Sequence, residues 1–302
     1  MREYIITKND ANRRADRVLA KGAPDLPGSL LQKAFRKKDV KRNGRPCRPE
    51  DRLAEGDVLR LYGCDTAPPK AKSEAVPPLD ASSIVYEDKH ILMLRKPGGI
   101  PSQKTDREPG IEDMAREYLL QKKSWNPDKE TGFAPSLCHR LDRNTEGLIL
   151  FAKSAEALQF LTEKIKRREI VKTYHCLVEG CPAPKAGEWQ DFLWKDAQKK
   201  HVYIKPPHTP GAKKALLRYK VLDNRGNRSL LEIELVTGRT HQIRVQCAGR
   251  GHPILGDGKY GTPIKNHPMA LCAVKLEMAF TEEGTLGYLS GKVFSLKSPY
   301  CM

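Results

Sequence analysis

Apolar residues recur along this chain in short bursts whose period switches between that of a helix and that of a strand. Val18/Leu19 and Leu30/Leu31/Phe35 are spaced for helix faces, which predicts helices over Ala15 to Lys21 and Ser29 to Lys38, the second with Ser29 as its N-cap. Asn43-Gly44 and Gly56-Asp57 are turn signals, and Val58, Leu59 and Leu61 form the strand after the second turn. From Thr66 to Leu79 the chain is Pro-rich and has no apolar period, so it reads as an extended linker. Beyond it, two strands are expected in Ile84 to Lys96 around Glu87-Asp88-Lys89, a loop at KPGGIPSQ, and a helix over Ile111 to Lys122. The run Gly147 to Lys153 (GLILFAK) has the length of a buried strand, and Ser154 caps a helix carrying Ala157, Leu158, Leu161 and Ile165. Further strands are expected at Val171 to Val178, Leu216 to Leu222, Leu230 to Val236 and Ala270 to Phe280.

Strands dominate and helices interrupt them irregularly, which argues for an α+β fold with a mostly antiparallel mixed sheet rather than a repeating βαβ array. The pattern divides into residues 1–65, a small α+β module; 66–80, the linker; and 81–302, a larger domain. With 302 residues the chain is long enough for two cores.

Charge sharpens this picture. The 54 Lys and Arg outweigh the 37 Asp and Glu, a formal charge of +17, and no acidic run offsets it, so a polyanionic partner is expected. Arg36, Lys37, Lys38, Lys41, Arg42 and Arg45 concentrate part of the excess on the first module. No apolar stretch is long enough to span a bilayer, and the charged opening MREYIITKNDANRRADR lacks the apolar run of an export signal. A cytoplasmic protein with no membrane association is expected. Eight cysteines are scattered without CxxC pairs or zinc-ligand spacing, so reduced, mostly buried thiols and no structural metal are expected.

Signatures of nucleotide hydrolysis, hydride transfer, zinc proteolysis and serine-esterase chemistry are missing. Three polar segments stand out instead. CHRLDRNTEG (Cys138 to Gly147) sets Asp142 between Arg140 and Arg143, cations that favour the charged form of a carboxylate between them, directly before an apolar strand. REIVKTYHCLVEG places Tyr174 in a strand with apolar Val171, Cys176 and Val178. VTGRTHQIRVQ brings Arg239, His241 and Arg244 close together ahead of the glycine-dense GRGHPILGDGKYG, a composition suited to a phosphate backbone. Taken singly, each also fits a capped turn, core packing or a solvated loop.

In that order, HRLD-x-x-T-x-G, K-x-Y, GRTHQIRV and GHPILGDxxYG resemble the RluA family of RNA pseudouridine synthases over about residues 81 to 280. The first 65 residues resemble, more loosely, the S-four type of ribosomal-protein RNA-binding module that some family members carry. The resemblance implies an isomerase that breaks a uridine's glycosidic bond, turns the base and rejoins it through carbon 5. It implies no cofactor, and RNA as partner, ribosomal RNA ahead of transfer RNA. It makes Asp142 the essential aspartate, acting at the anomeric carbon or on the neighbouring sugar carbon. Tyr174 becomes the tyrosine packed on the base and a candidate for assisting the final proton removal. Arg244 is expected to pair with Asp142. Arg140 is expected to support the flipped-out nucleotide, with His139, Thr145, Arg239 and His241 as further substrate contacts. One departure is visible: Glu146 stands where the family most often has Ser. A non-catalytic RNA-binding protein and a nucleoside hydrolase with Asp142 as nucleophile are the rival readings, and a monomer is the default expectation.

Overall fold

The computed structural model describes residues 1–63, 76–127, 130, 132–264 and 268–300. Its elements in chain order are β1 (Arg2–Ile5), α1 (Ala15–Gly22), α2 (Gly28–Arg36), β2 (Val40–Arg42), β3 (Arg45–Pro46), β4 (Val58–Leu61), β5 (Ile84–Glu87), β6 (Ile91–Lys96), α3 (Ile111–Gln121), β7 (Ser136–Leu137), β8 (Glu146–Ala152), α4 (Ala155–Lys166), β9 (Ile170–Glu179), β10 (Ala186–Asp196), β11 (His201–Lys205), β12 (Lys213–Arg225), β13 (Arg228–Leu235), α5 (Gln242–Ala248), β14 (Leu271–Met278) and β15 (Val293–Ser295).

Two sheets result. The first has the order β1-β4-β2-β3 and shares a core with α1 and α2, among them Val18, Leu19, Leu31, Phe35, Val40 and Leu59. Asn43 and Gly44 turn β2 into β3 with φ of 50° and 82°, the left-handed pair that a tight hairpin requires. The second sheet has 11 strands, with the path β11-β10-β12-β13-β9-β14-β8-β6-β5, β7 beside β8 and β15 beside β14. Every pairing is antiparallel except β8 with β14. The mixed α+β architecture expected from the sequence is the one observed.

Burial explains the continuous apolar runs. In β6 and β8 alternate residues enter different cores: Leu92, Leu94, Ile149 and Phe151 pack with α3 and α5, while Ile91, Met93, Leu148 and Leu150 pack with α4 and the β14–β15 region. Ser154 caps α4 as its position suggests, accepting the Ala157 amide at 3.2 Å.

Several details differ from the sequence reading. α2 starts at Gly28 with Pro27 as N-cap, whose φ of −54° is already set for the first turn, so Ser29 lies inside the helix and caps nothing. The same helix stops at Arg36 because Lys38 turns left-handed, φ 61°, and Asp39 donates back to the Ala34 carbonyl. Val171 faces away from Tyr174, Cys176 and Val178, which share a core. Residues 66–75 of the expected linker lie outside the described residues, while Val76 and Leu79 pack against the main core.

The two sheets meet through a polar seam. Asp10, fully buried, accepts the Gly132 amide at 2.8 Å and the Arg13 guanidinium at 2.8 Å, and Arg13 also donates to the Gly132 carbonyl at 2.9 Å. Thr7 and Asn9 both donate to Glu130, and the Asn9 side-chain oxygen accepts the Ala155 amide at the start of α4. No helix among the described residues is long and apolar enough to cross a membrane.

Candidate active site

The segment from Cys138 to Thr145 leaves β7, passes over the end of the large sheet and enters β8. A loop of this kind holds a side chain in place only if its backbone is tied, and here nearly every turn of it is. Cys138 donates its amide to the Leu150 carbonyl at 2.8 Å. Ser102 accepts the Leu141 amide at 3.0 Å and donates to the Leu141 carbonyl at 2.6 Å, while the Leu141 side chain sits in the core. Thr145 closes a turn onto the Asp142 carbonyl at 3.1 Å. Beneath the loop, the fully buried Lys96 ammonium donates to three carbonyls, Pro97, Ile100 and Arg143, each at 2.8 Å. Burial pushes Lys96 down to about 8, with Asp142 and Glu146 pulling the other way.

Asp142 projects from this platform into a cavity of about 1030 Å³. The wall opposite is the turn from Val236 into α5. Gln242 fixes that turn, accepting from Thr237 at 2.7 Å and from the Arg239 amide at 3.1 Å and donating to the Leu216 carbonyl at 3.0 Å. Arg244, in the first turn of α5, then reaches Asp142 with Nη1 3.4 Å from Oδ2, and His241 Nε2 lies 4.0 Å from the same oxygen. Tyr174 lines the cavity from β9 and is otherwise buried. The arginines that flank Asp142 in sequence turn elsewhere: Arg143 pairs with Glu108, and Arg140 extends over the rim with Nη1 3.5 Å from Gln103.

One group that the sequence reading did not single out organises the wall. Asp257, buried in the loop after α5, takes a two-pronged contact from Arg244, Nε at 2.8 Å and Nη2 at 2.7 Å, and accepts the Lys259 and Tyr260 amides. Burial opposes its charge, but Arg244 and the two amides outweigh it and hold the carboxyl below the usual range. Arg244 is raised in turn, since the two carboxylates outweigh burial. Its tightest partner is therefore Asp257, and Asp142 takes the remaining nitrogen. Asp257 lies in the quoted GHPILGDxxYG segment, so its position was visible; only the folded chain brings it under Arg244.

The other named residues are also located. His139 lines the cavity, but its Nε2 accepts the Leu150 amide at 3.2 Å, so the ring fastens the loop to β8; burial lowers it to about 3. His241 is lowered to about 4, mainly by burial with Asp142 opposing, and its Nδ1 is 2.7 Å from the Tyr260 hydroxyl. Both imidazoles are neutral at pH 7. Arg239 donates to the Lys214 carbonyl at 2.9 Å and lines the rim, and Thr145 is buried beneath the turn. Tyr174 is raised by burial first and by Asp142 second, so it enters any reaction as a neutral phenol. A neutral phenol can stack on a ring and donate a hydrogen bond, and it is a poor base at neutral pH. Glu146 points to the far side of the loop, 3.6 Å from Arg95 and 3.4 Å from the Tyr300 hydroxyl, which accounts for an acid being accommodated there.

Lys104, Lys166, Arg168, Lys172 and Lys195 complete a cationic rim around one carboxylate. Such a cavity suits a polyanion that delivers one uncharged group to its floor. Among the described residues, no group of three or more His, Cys, Asp or Glu is arranged to hold a metal ion.

Residues 90–249 match the family model described as RNA pseudouridylate synthase. The chain is 30% identical over 303 residues to ribosomal large subunit pseudouridine synthase C of Escherichia coli K12, covering 97% of this chain and 91% of that protein. It is 32% identical over 263 residues to the protein of the same name from Vibrio cholerae, covering 85% and 79%. Among solved structures, human RNA pseudouridylate synthase domain containing 4 has the same fold, with a TM-score of 0.58 and 23% identity over 72% of this chain and 89% of that one.

Proposed function

The chain belongs to the RNA pseudouridylate synthase family, an isomerase that converts uridine to pseudouridine in RNA, and from that premise we propose that its substrate is structured large-subunit ribosomal RNA, with Asp142 as the catalytic residue. The observation that carries the assignment of Asp142 is its position: one carboxylate, with Arg244 3.4 Å away, on the floor of a cavity otherwise rimmed by cations. The relatives' names supply the ribosomal target.

A uridine stacked in a helix cannot reach that floor, so the nucleotide turns out of the RNA, at a cost of roughly a few kcal/mol that phosphate contacts around the rim offset. Arg140, exposed beside the opening, is suited to hold the gap left behind. Asp142 then acts on the sugar, by attack at the anomeric carbon or by taking the proton from the neighbouring carbon, and Arg244 keeps its charge oriented. The freed uracil is confined against Tyr174 while it turns, and carbon 5 rejoins the sugar. Because Tyr174 is protonated, the proton leaving carbon 5 goes more readily to the Asp142 carboxylate, regenerated by then, than to the phenol. Residues 1–65 serve as the RNA-binding module, and the protein works as a cytoplasmic monomer.

The test is tritium release from large-subunit ribosomal RNA labelled at uridine carbon 5. The wild-type chain should release tritium without added metal or nucleotide, and Asp142→Asn should release none while binding the RNA with little change. Turnover by the Asn variant would end the assignment of Asp142, and free uracil in place of pseudouridine would indicate hydrolysis.

A further inference from the structure

A band of aromatic rings leaves the cavity along the free edge of the large sheet. β11 is the outermost strand and, among the described residues, pairs only with β10. On its open edge the Val202 amide donates to the Tyr260 hydroxyl at 3.0 Å. The Tyr260 ring is 5.1 Å from the Arg244 guanidinium and 5.5 Å from the His241 ring, so it borders the site itself. From there the rings continue outward: His201 at 4.5 Å from Tyr260, Tyr203 at 4.5 Å from His201, and Trp194 at 6.3 Å from Tyr203. Trp194 lies directly opposite Tyr203 across the β10–β11 pair, and His201 is two residues before Tyr203, so all three share one face.

Core packing accounts for one ring of this band, since Tyr260 packs against the hairpin's own core of Leu193, Val202, Ala215 and Val245. Trp194, His201 and Tyr203 are on the opposite face of the hairpin from that core. Trp194, His201 and Tyr203 are each only half-buried, and none of them lines the cavity. His201 Nδ1 is buried with no hydrogen-bond partner. Lysines accompany the rings: Lys205 stands 5.8 Å over Tyr203, and Lys199, Lys200 and Lys214 are exposed nearby. Lysines on an edge strand also keep it from pairing with other chains, which would explain the charges but not the rings. Of the acids that β10 places on this face, Asp196 accepts the Lys199 amide within the turn and Glu188 pairs with Arg218.

We propose that the β10–β11 hairpin is a stacking track for the single-stranded nucleotides that flank the target uridine. The inference rests on the proposed function, because flipping one nucleotide unstacks its neighbours, and their exposed faces need a replacement surface where the strand leaves the cavity. Rings spaced along a cationic edge provide one that tolerates any base. Tyr260 joins the track to the site, contacting Arg244 on one side and His201 on the other.

The test uses the full-length chain and a labelled 12-nucleotide oligouridylate, followed by fluorescence anisotropy. Tyr203→Ala and Trp194→Leu should each weaken binding about tenfold, within the range expected for losing one stacked base, and Tyr203→Phe should restore it. Lys205→Gln with Lys214→Gln, both surface changes, should lower the slope of log affinity against log salt by about 1.4. With large-subunit ribosomal RNA as substrate, the ring variants should raise KM and leave kcat alone. Unchanged affinity and KM in the ring variants, an equal loss in Tyr203→Phe, or an unchanged salt slope would overturn the track. If the wild-type chain binds the oligonucleotide through these rings yet forms no pseudouridine, the reaction is wrong and the track stands. If Asp142-dependent turnover persists with KM unaltered in every ring variant, the converse holds.

Discussion

Lys96 has no contact with solvent, yet it ends in an ammonium group that three backbone carbonyls surround. Those carbonyls belong to Pro97, Ile100 and Arg143, so one side chain joins the glycine-rich turn after β6 to the loop carrying Asp142. Replacing it with an apolar residue of similar length takes the ammonium donor from the Pro97 and Ile100 carbonyls, at about 1–3 kcal/mol each, and leaves the Arg143 carbonyl with the Gly99 amide alone. Lys96→Met should therefore lower stability by about 3 kcal/mol or more in urea unfolding, and should reduce turnover through displacement of Asp142. Two half-buried imidazoles set a separate acid limit. His139 and His241 are held at about 3 and about 4, below the value near 6.5 of an unfolded chain. Between about pH 6.5 and pH 4 the unfolded state thus binds protons that the folded state refuses, and stability falls as pH falls. For His139 this amounts to about 2 kcal/mol between pH 7 and pH 5. Unfolding curves at the two pH values should show it, and His139→Gln should flatten the difference; an unflattened profile would assign the acid sensitivity elsewhere.

At the scale of elements, the site is the meeting of β8 with α5, and two contacts fix how they meet. β8 runs parallel to β14, with Gly147 beside Ala273. Gly147 has φ 115°, and a Cβ there would run into the Ala273 backbone, so only glycine admits this approach. Gly147→Ala should destabilise the chain by about 3 kcal/mol and should cost turnover more than RNA affinity, because Gly147 lies five residues after Asp142. On the other side, the ion pair of Asp257 with Arg244 orients the first turn of α5. Asp257→Asn leaves Arg244 with half of its buried charge balance, and the expected result is a loss of about 3 kcal/mol in stability with a drop in kcat of about a hundredfold. A kcat equal to wild type would mean that Asp142 alone is enough to orient the guanidinium.

For the whole molecule, polar contacts across the seam between the two sheets position the N-terminal module. Asp10, Arg13, Thr7 and Asn9 bind residues 130, 132 and 155, and a Cβ on Gly132 would sit 2.9 Å from Asp10 Oδ1. The bond from the Gly132 amide to Asp10 is buried and the others are half-buried, and together they hold the basic module against the larger domain. Gly132→Val should open the seam, and limited proteolysis should then release the module faster from the variant than from wild type. Removing residues 1–63 should weaken RNA binding and reduce its salt dependence more than it changes turnover at saturating RNA.

The hydrophobic pattern was enough for most elements, because a strand buried on both faces or a helix with one apolar stripe writes its environment into its period. That holds for β6, β8, β9, β12, β13, β14 and for α1 to α4. It failed for α5, where Gln242, Arg244 and Gln246 are buried by satisfying backbone and side-chain partners rather than by being apolar. It also passed over β10 and β11, where buried Trp189, Leu193 and Val202 are interrupted by charged and polar positions and β11 is the edge of the sheet. The local order of motifs singled out Asp142, Tyr174 and Arg244, which the fold brings to one cavity. Their partners depended on contacts far apart in the chain. Arg140 and Arg143 are next to Asp142 in sequence and turn away from it, whereas Arg244 approaches it from 102 residues on. Charge proximity along a backbone says little once the loop is tied at every turn, and only the packing of α5 under Asp257 decided which arginine faces the carboxylate.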